Sequence, residues 1–322
     1  MISTLIATAL VAQSQPLELY RSFEKGKTYN YSVRTHLQSE SREVGQNTFI
    51  PSDVDINYDF NYKIVDVKSS GMAKVLYQRP AISQIDGETA DRGPLTTKIP
   101  LDWRMELELS PVNAVTGIKD LTKEKKINSH WLQPKVTHRS FSSMSMGERQ
   151  DIVSQFVGEL QRLVLFIGGL DSSLDFAPRL PLGEVEVGEK WRQTMSYQPM
   201  EIKGSGGQFE VQRLDMDLVF NGMKEKNGVQ YASITGLLNL DTDAAKYINQ
   251  AMRMTANQSG LAKLPMKLET KIEFELDAKT FATKRATSSS KGNWSIFISG
   301  FNDPVQEERI TGRASIVLNS IK

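Results

Sequence analysis

Apolar and polar residues alternate along most of this chain, and a two-residue period predicts half-buried β-strands. Thr28–Leu37 puts Tyr29, Tyr31 and Val33 on one face, and Val54–Val67 gives Tyr58, Phe60, Tyr62, Ile64 and Asp66 one parity. Lys68-Ser-Ser-Gly71 turns the chain into a return strand, Met72–Tyr77; Trp103–Leu109 is turned by Ser110-Pro-Val-Asn113 and returns through Ala114–Ile118. A second set follows: Trp191–Tyr197, Phe209–Phe220 with a bulge before Leu218, Val229–Leu240, Lys267–Leu276, Phe281–Thr287, Trp294–Ser299 and Ile310–Leu318. Asn227-Gly228, ahead of Val229, is the strongest short hairpin signal, because both residues tolerate the left-handed backbone of a tight turn. Leu17–Tyr20 is a short first strand. The stretches 38–52, 81–100 and 288–292 are polar or rich in Gly, Pro, Thr and Ser, and are expected as loops.

Two stretches have a helical period instead. In 144–168, Ile152, Val153, Phe156, Val157, Leu160, Leu163 and Val164 form one stripe, Glu148 and Asp151 suit the positive end of the macrodipole, and Gly168-Gly169 ends the run. Packing against a sheet is the plain reading of that stripe, and a lid over a cavity the sharper one. A second helix is expected over 244–257, capped by Asp241 or Asp243, with Ile248, Met252 and Ala256 as its stripe. Asp120 is a candidate cap for a short helix through Lys126.

The order of these elements repeats. Gly26 precedes Tyr29 by three residues as Gly188 precedes Trp191; a hairpin lies at Gly71 and at Gly228; Met105-Glu-Leu-Glu-Leu-Ser matches Ile272-Glu-Phe-Glu-Leu-Asp. The expected class is therefore mainly β (α+β): antiparallel curved sheet or sheets with a two-fold internal repeat and one or two covering helices. The expected division is a signal peptide at 1–14, a first β half at 17–143, the helix at 144–168 and a second β half at 180–322. The pattern leaves open one curved sheet or two packed halves.

Composition narrows the classes. The chain has 322 residues, 39% hydrophobic and 24% charged, with a net charge of +1. That is globular composition without the basic excess of a nucleic-acid binder. No cysteine is present, which excludes disulfides, thiolate chemistry and a lipidated cysteine. Leu5–Ala12 is a short apolar core followed by the small residues of Ala12-Gln-Ser14, so the expectation is an exported, extracytoplasmic protein, periplasmic or secreted. No stretch reaches the ~20 apolar residues of a membrane span.

Lys25-Gly-Lys-Thr-Tyr29, Leu180-Pro-Leu-Gly-Glu-Val-Glu-Val-Gly-Glu-Lys-Trp191 and Leu109-Ser-Pro-Val-Asn-Ala-Val-Thr-Gly117 resemble a family of bacterial secreted proteins and lipoproteins with KGxxY and VxVGxxW stretches, a domain of unknown function. Asn113 stands where that family usually has glycine, and the lipobox cysteine common there has no counterpart here. The architecture is also similar to the lipoprotein-carrier (LolA-like) folds, a curved antiparallel sheet capped by helices. The resemblance implies a fold and an envelope location, but carries no catalytic residue.

Searching the sequence for chemistry gives little. His36, His130 and His138 lack companions at metal-ligand spacing, and Gly204-Ser-Gly-Gly207 lacks the lysine of a phosphate loop. Glu106 with Glu108 and Glu273 with Glu275 alternate with apolar residues, which points them to solvent. Trp103, Trp131, Trp191 and Trp294 are large enough to be core or to line a groove. The reading is a non-enzymatic binding protein for a lipid, a hydrophobic peptide or an envelope partner, with no cofactor and no metal. Its groove is expected between the long helix and the sheet, lined by Phe156, Leu160, Val164 and Trp191. The alternative is a scaffold with no small ligand; an enzyme ranks third.

Overall fold

The computed structural model describes residues 16–79, 82–89, 93–94, 97–99, 103–121, 177–197, 212–246, 249 and 255–322. The expected helix at 144–168, His130, His138, Trp131 and the 1–14 leader lie outside the described residues.

The amino-terminal part contributes strands β1 (Leu17–Glu18), β2 (Thr28–Glu43), β3 (Ile50–Val67), β4 (Ala73–Arg79), β5 (Ile82–Thr89), β6 (Gly93–Pro94), β7 (Thr97–Ile99), β8 (Trp103–Leu109) and β9 (Val115–Asp120). The rest contributes β10 (Glu184–Val185), β11 (Lys190–Tyr197), β12 (Gln212–Lys226), β13 (Val229–Asp243), a one-turn helix α1 (Ala256–Ser259), β14 (Leu261–Lys263), β15 (Pro265–Asp277), β16 (Thr283–Ile298) and β17 (Gln306–Ile321). Apart from the β1–β10 pair, all of these strands join one antiparallel sheet, curved but not closed into a barrel. Its main path is β11-β12-β13-β15-β16-β17-β2-β3-β4-β8-β9. The question of one sheet or two is thereby resolved: β17 and β2 pair from Gln306↔Glu43 to Ile321↔Tyr29, and this seam makes one sheet of the whole.

On either side of the seam the strands follow in the same order, β2-β3-β4-β8-β9 and β11-β12-β13-β15-β16. Their entry turns superpose in bonding. The Gly26 N–H donates to the Ile64 carbonyl at 2.8 Å, and the Gly188 N–H to the Phe220 carbonyl at 2.7 Å. Both glycines hold φ near +90°, a region that a side chain would strain. The β8–β9 and β15–β16 turns each place one residue in the left-handed region, Asn113 and Phe281. Asparagine is the side chain that tolerates this best after glycine, which accounts for Asn113.

Every long strand buries one parity. Tyr29, Tyr31, Val33 and Leu37 on β2, Tyr58, Phe60, Tyr62 and Ile64 on β3, and Met266, Leu268, Ile272, Phe274 and Leu276 on β15 all point to the inner face. Burying each such side chain contributes about 1.5–3 kcal/mol. A register shift between Ile64 and Asp66 ends the β3 parity, so Asp66 lies exposed and pairs with Lys25 at 2.7 Å rather than continuing the row. On β12 the irregularity falls between Phe220 and Met223, after Leu218 rather than before it.

Three expected loops are strand. Most of 38–52 belongs to β2 and β3, because its polar residues pair with β17 and with each other, as in Ser39↔Ser52 and Arg309↔Glu40. Much of 81–100 forms β5, β6 and β7, with β5 held against β3. Residues 288–292 run through the middle of β16. Asp120 is the last residue of β9, and the short helix expected from it through Lys126 falls outside the described residues. β13 extends past Leu240 to Asp243, whose Oδ1 accepts the N–H groups of Ala245 (3.0 Å) and Leu264 (2.8 Å). Ala245, Lys246 and Asn249 are helical, and Thr255 caps α1 through a capping box with Gln258.

Candidate functional site

The candidate site is the inner face of the central strands, which the strand registers order into rows. Toward the turn end lies an aromatic quarter. Cross-strand pairing sets Tyr29 opposite Tyr62 and Tyr31 opposite Phe60. Their rings stack with centroids 4.8 and 4.9 Å apart, and Tyr77 completes the cluster against Phe60 at 5.6 Å. Such pairs add about 0.5–1.5 kcal/mol each beyond area burial.

Two rows further along, the side chains shrink. One row reads Thr35, Ala314, Ser288 and the next Leu37, Gly312, Ser290, Thr270; Gly292 follows beside Ile310. A Cβ at Gly292 would come within 2.7 Å of the Lys267 carbonyl oxygen. Ser290 and Thr270 satisfy each other, with hydroxyls 2.9 Å apart. The Ser288 hydroxyl and the Trp294 indole N–H are buried and have no hydrogen-bond partner. In side-chain height the inner face is thus a shallow trough, its Thr35, Ala314, Ser288, Ser290 and Thr270 buried between two bulkier apolar banks, with two buried polar groups left unpaired.

At the turn end the segment 19–23 crosses the edge of this face between the two corresponding turns. The Arg21 N–H donates to the Pro111 carbonyl at 2.6 Å, and the Ser22 N–H to the Thr280 carbonyl at 3.1 Å. The Arg21 side chain is buried. Its guanidinium lies 5.3 Å from the ring centroids of Phe23 and Tyr29 and 5.9 Å from that of Tyr62. Nη2 donates to the Tyr62 hydroxyl and Nη1 to the Phe281 carbonyl, while Nε has no partner. Burial opposes its charge, but the facing oxygens of Tyr62, Tyr31 and Tyr29 outweigh that and hold its pKa above the ordinary value. Burial, then Tyr62, pushes the Tyr31 hydroxyl well above its ordinary range; that hydroxyl donates to the Thr283 carbonyl at 2.8 Å.

The opposite, outer face is polar. An open trough of about 690 Å³ crosses β3, β2, β17, β16 and β15, and Glu40, Asp53 and Glu269 border it together with Lys267, Lys291 and Arg309. Three carboxylates against three cations select neither anion nor cation. The paired carboxylates behave as expected, in surface ion pairs: Glu106 with Lys74 (3.1 Å), Glu108 with Lys68 (3.2 Å) and Glu273 with Lys271 (2.6 Å). Such pairs contribute about 0–1 kcal/mol each. His36 bonds Asp55 at 2.8 Å on this face. Among the described residues no cluster has the makings of a metal site.

Of the expected groove residues, Phe156, Leu160 and Val164 lie outside the described residues. Trp191 is half-buried on β11, opposite Leu218, and its indole N–H donates to the Arg179 carbonyl at 2.6 Å. It packs against the rim of the inner face, on the strand that ends the described sheet path. Arg21 and the Ser288–Gly292 row were not foreseen. The one available signal for Arg21 was a charged residue two positions after Leu19 in an alternating stretch.

The fold and this face define a class: a mainly β protein built on a single open antiparallel sheet with one apolar and one polar face. No family model and no curated protein matches the chain. Among solved structures, lipovitellin, in a study of its lipid–protein interactions, overlaps 94% of this chain at 12% identity with a TM-score of 0.39; the chain spans 26% of that protein's length. A candidate outer membrane lipoprotein-sorting protein domain from Vibrio parahaemolyticus (7% identity, 91% of this chain, 84% of that one) and a DUF1329 family protein from Desulfovibrio piger (7%, 92% and 86%) each give a TM-score of 0.13. Overlays this loose carry no functional argument. Among the described residues no helix is long and apolar enough to cross a membrane.

Proposed function

We propose that the chain is an extracytoplasmic, non-enzymatic binding protein that holds a hydrophobic ligand, a lipid or a hydrophobic peptide, against the inner face of its sheet. The observation that carries this reading is the trough of small residues, Thr35, Ala314, Ser288, Gly312 and Ser290, between bulky apolar banks. A sheet that needed only to fill its own core would place Val, Ile or Leu at these central positions. Small residues there let something else approach the backbone closely. In this reading the amphipathic segment 144–168 covers the trough, with Phe156, Leu160 and Val164 facing the ligand and Trp191 at its rim. The short leader 1–14 delivers the chain out of the cytoplasm, to the periplasm or beyond it.

Native mass spectrometry of the mature protein, purified from its own envelope fraction, tests this. A co-purifying hydrophobic mass released on mild unfolding is expected. A clean protein mass from a detergent-free preparation overturns the carrier reading in favour of an envelope scaffold, with the same face covered by protein alone.

A further inference from the structure

The buried guanidinium of Arg21 sits at the aromatic margin of the inner face, and no carboxylate among the described residues pairs with it. A cation removed from water without an anion is costly, because its lost hydration is replaced only by dipoles and ring faces. Three rings and one carbonyl oxygen take up part of that cost: Phe23, Tyr29 and Tyr62 face the cation and Phe281 accepts from Nη1, while Pro111 holds only the backbone N–H. Tyr62 accepts from Nη2, and its hydroxyl lies 3.5 Å from that of Tyr31, which donates onward to Thr283. Two of its five N–H groups have these partners, and of its three nitrogens only Nε has none, although it is buried.

We propose that Arg21 is the head-group site of the ligand, and that the ligand is an amphiphile with a single carboxylate, such as a long-chain fatty acid. This inference rests on the carrier reading and names its substrate class. The side of a guanidinium that bears Nε and Nη2 matches a planar carboxylate, and a charge-assisted pair there would neutralise the buried cation. The acyl chain would leave this site along the stacked rings Tyr29–Tyr62 and Tyr31–Phe60 and run into the small-residue trough. One unpartnered nitrogen beside Nη2, in an aromatic surround, suits a planar monoanion better than a tetrahedral dianion such as a phosphate monoester.

The test compares two probes with the same chain, oleate and oleyl alcohol, by calorimetry at pH 8 with the wild-type protein and with Arg21→Gln. A hydrogen bond to a charged partner contributes about 1.5–3 kcal/mol, so oleate should bind the wild type about 10- to 100-fold more tightly than the alcohol. Arg21→Gln should abolish that preference while retaining the alcohol. Equal binding of both probes by the wild type overturns the head-group assignment and leaves the carrier reading standing. Failure of both probes to bind overturns the two together. Persistence of the preference in Arg21→Gln makes Arg21 a structural staple only. Should Arg21→Gln fail to fold, oleate labelled with ¹³C at its carboxyl group gives the answer on wild-type protein. Beside a buried cation the bound carboxyl must stay ionised to lower pH than in the free fatty acid, and a bound carboxyl that titrates at or above the free value refutes the proposal.

Discussion

Asp277 anchors the turn from β15 to β16, and its replacement offers a sharp test of how that turn is held. One oxygen, Oδ1, accepts the N–H of Lys279 (3.0 Å), the N–H of Thr280 (2.9 Å) and the Thr280 hydroxyl (3.0 Å); the other meets Lys284 at 2.9 Å. Burial raises the pKa of the carboxyl, but these donors outweigh it and bring it down to about 2. A carboxyl with an ordinary pKa of 3.8 when unfolded and about 2 when folded stabilises the folded state above the unfolded value, and that contribution disappears as the pH falls through 2. The full shift corresponds to about 2.4 kcal/mol at neutral pH. The side chain keeps 26% of its surface in water, where screening weakens the Lys284 pair, so we take about 1 kcal/mol as the working figure. Asp277→Asn mimics the protonated acid. Urea denaturation should find it about 1 kcal/mol less stable than wild type at pH 7 and about half that at pH 3, the two converging near pH 2. A gap that stays constant from pH 7 to pH 3, or no gap at pH 7, would refute the argument.

Three further substitutions follow from the same geometry. Gly292→Ala forces a methyl group against the Lys267 carbonyl oxygen, a backbone atom that cannot swing away, and should cost about 2 kcal/mol, read as a lowered urea midpoint at unchanged slope. Ile316→Ala opens a cavity at a fully buried position between Val33 and Ala286 and should cost about 3 kcal/mol in the same assay. Trp191→Phe keeps a ring at the rim but strands the Arg179 carbonyl; a loss of about 1 kcal/mol is expected, and a neutral result would show that water replaces the indole N–H.

The strands were legible where inner-face residues are bulky. Tyr29, Tyr31, Tyr58, Phe60, Ile272 and Phe274 alternate with polar neighbours, and the period alone set their face. Legibility failed where the face narrows. Ser288, Ser290 and Gly292 lie on the inner face of β16, yet hydrophobicity cannot mark a position whose task is to be small, so the stretch read as a linker. At Ser39 and Ser52 pairing, not burial, makes the strand, and pairing partners far apart in the chain leave no local trace. The parity of Asp66 misled because a bulge one residue earlier is invisible to a strict two-residue period. Arg21 was hidden for a different reason: its surroundings come from β2, β3 and two turns, and only the folded sheet brings them together.

The seam between β2 and β17 also governs when this molecule can finish folding. It joins the first long strand to the last, and contacts such as Asn30 with Ser320 span 290 positions of chain. Closing so long a loop costs entropy before any contact compensates, and topologies of this kind fold slowly. While the chain emerges from its amino terminus, β2 has its β3 partner but presents its other edge unpaired until the final residues arrive, and an open edge of this length invites pairing with another copy. The same arrangement places Thr28 and Lys322 in reciprocal backbone hydrogen bonds at 2.8 and 2.9 Å. A circular permutant that joins Lys322 to Leu17 through a flexible linker would keep the buried Leu19 and Arg21 in place and turn the most distant pairing in the sheet into a local one. It should refold faster than the natural order of the chain at nearly unchanged stability.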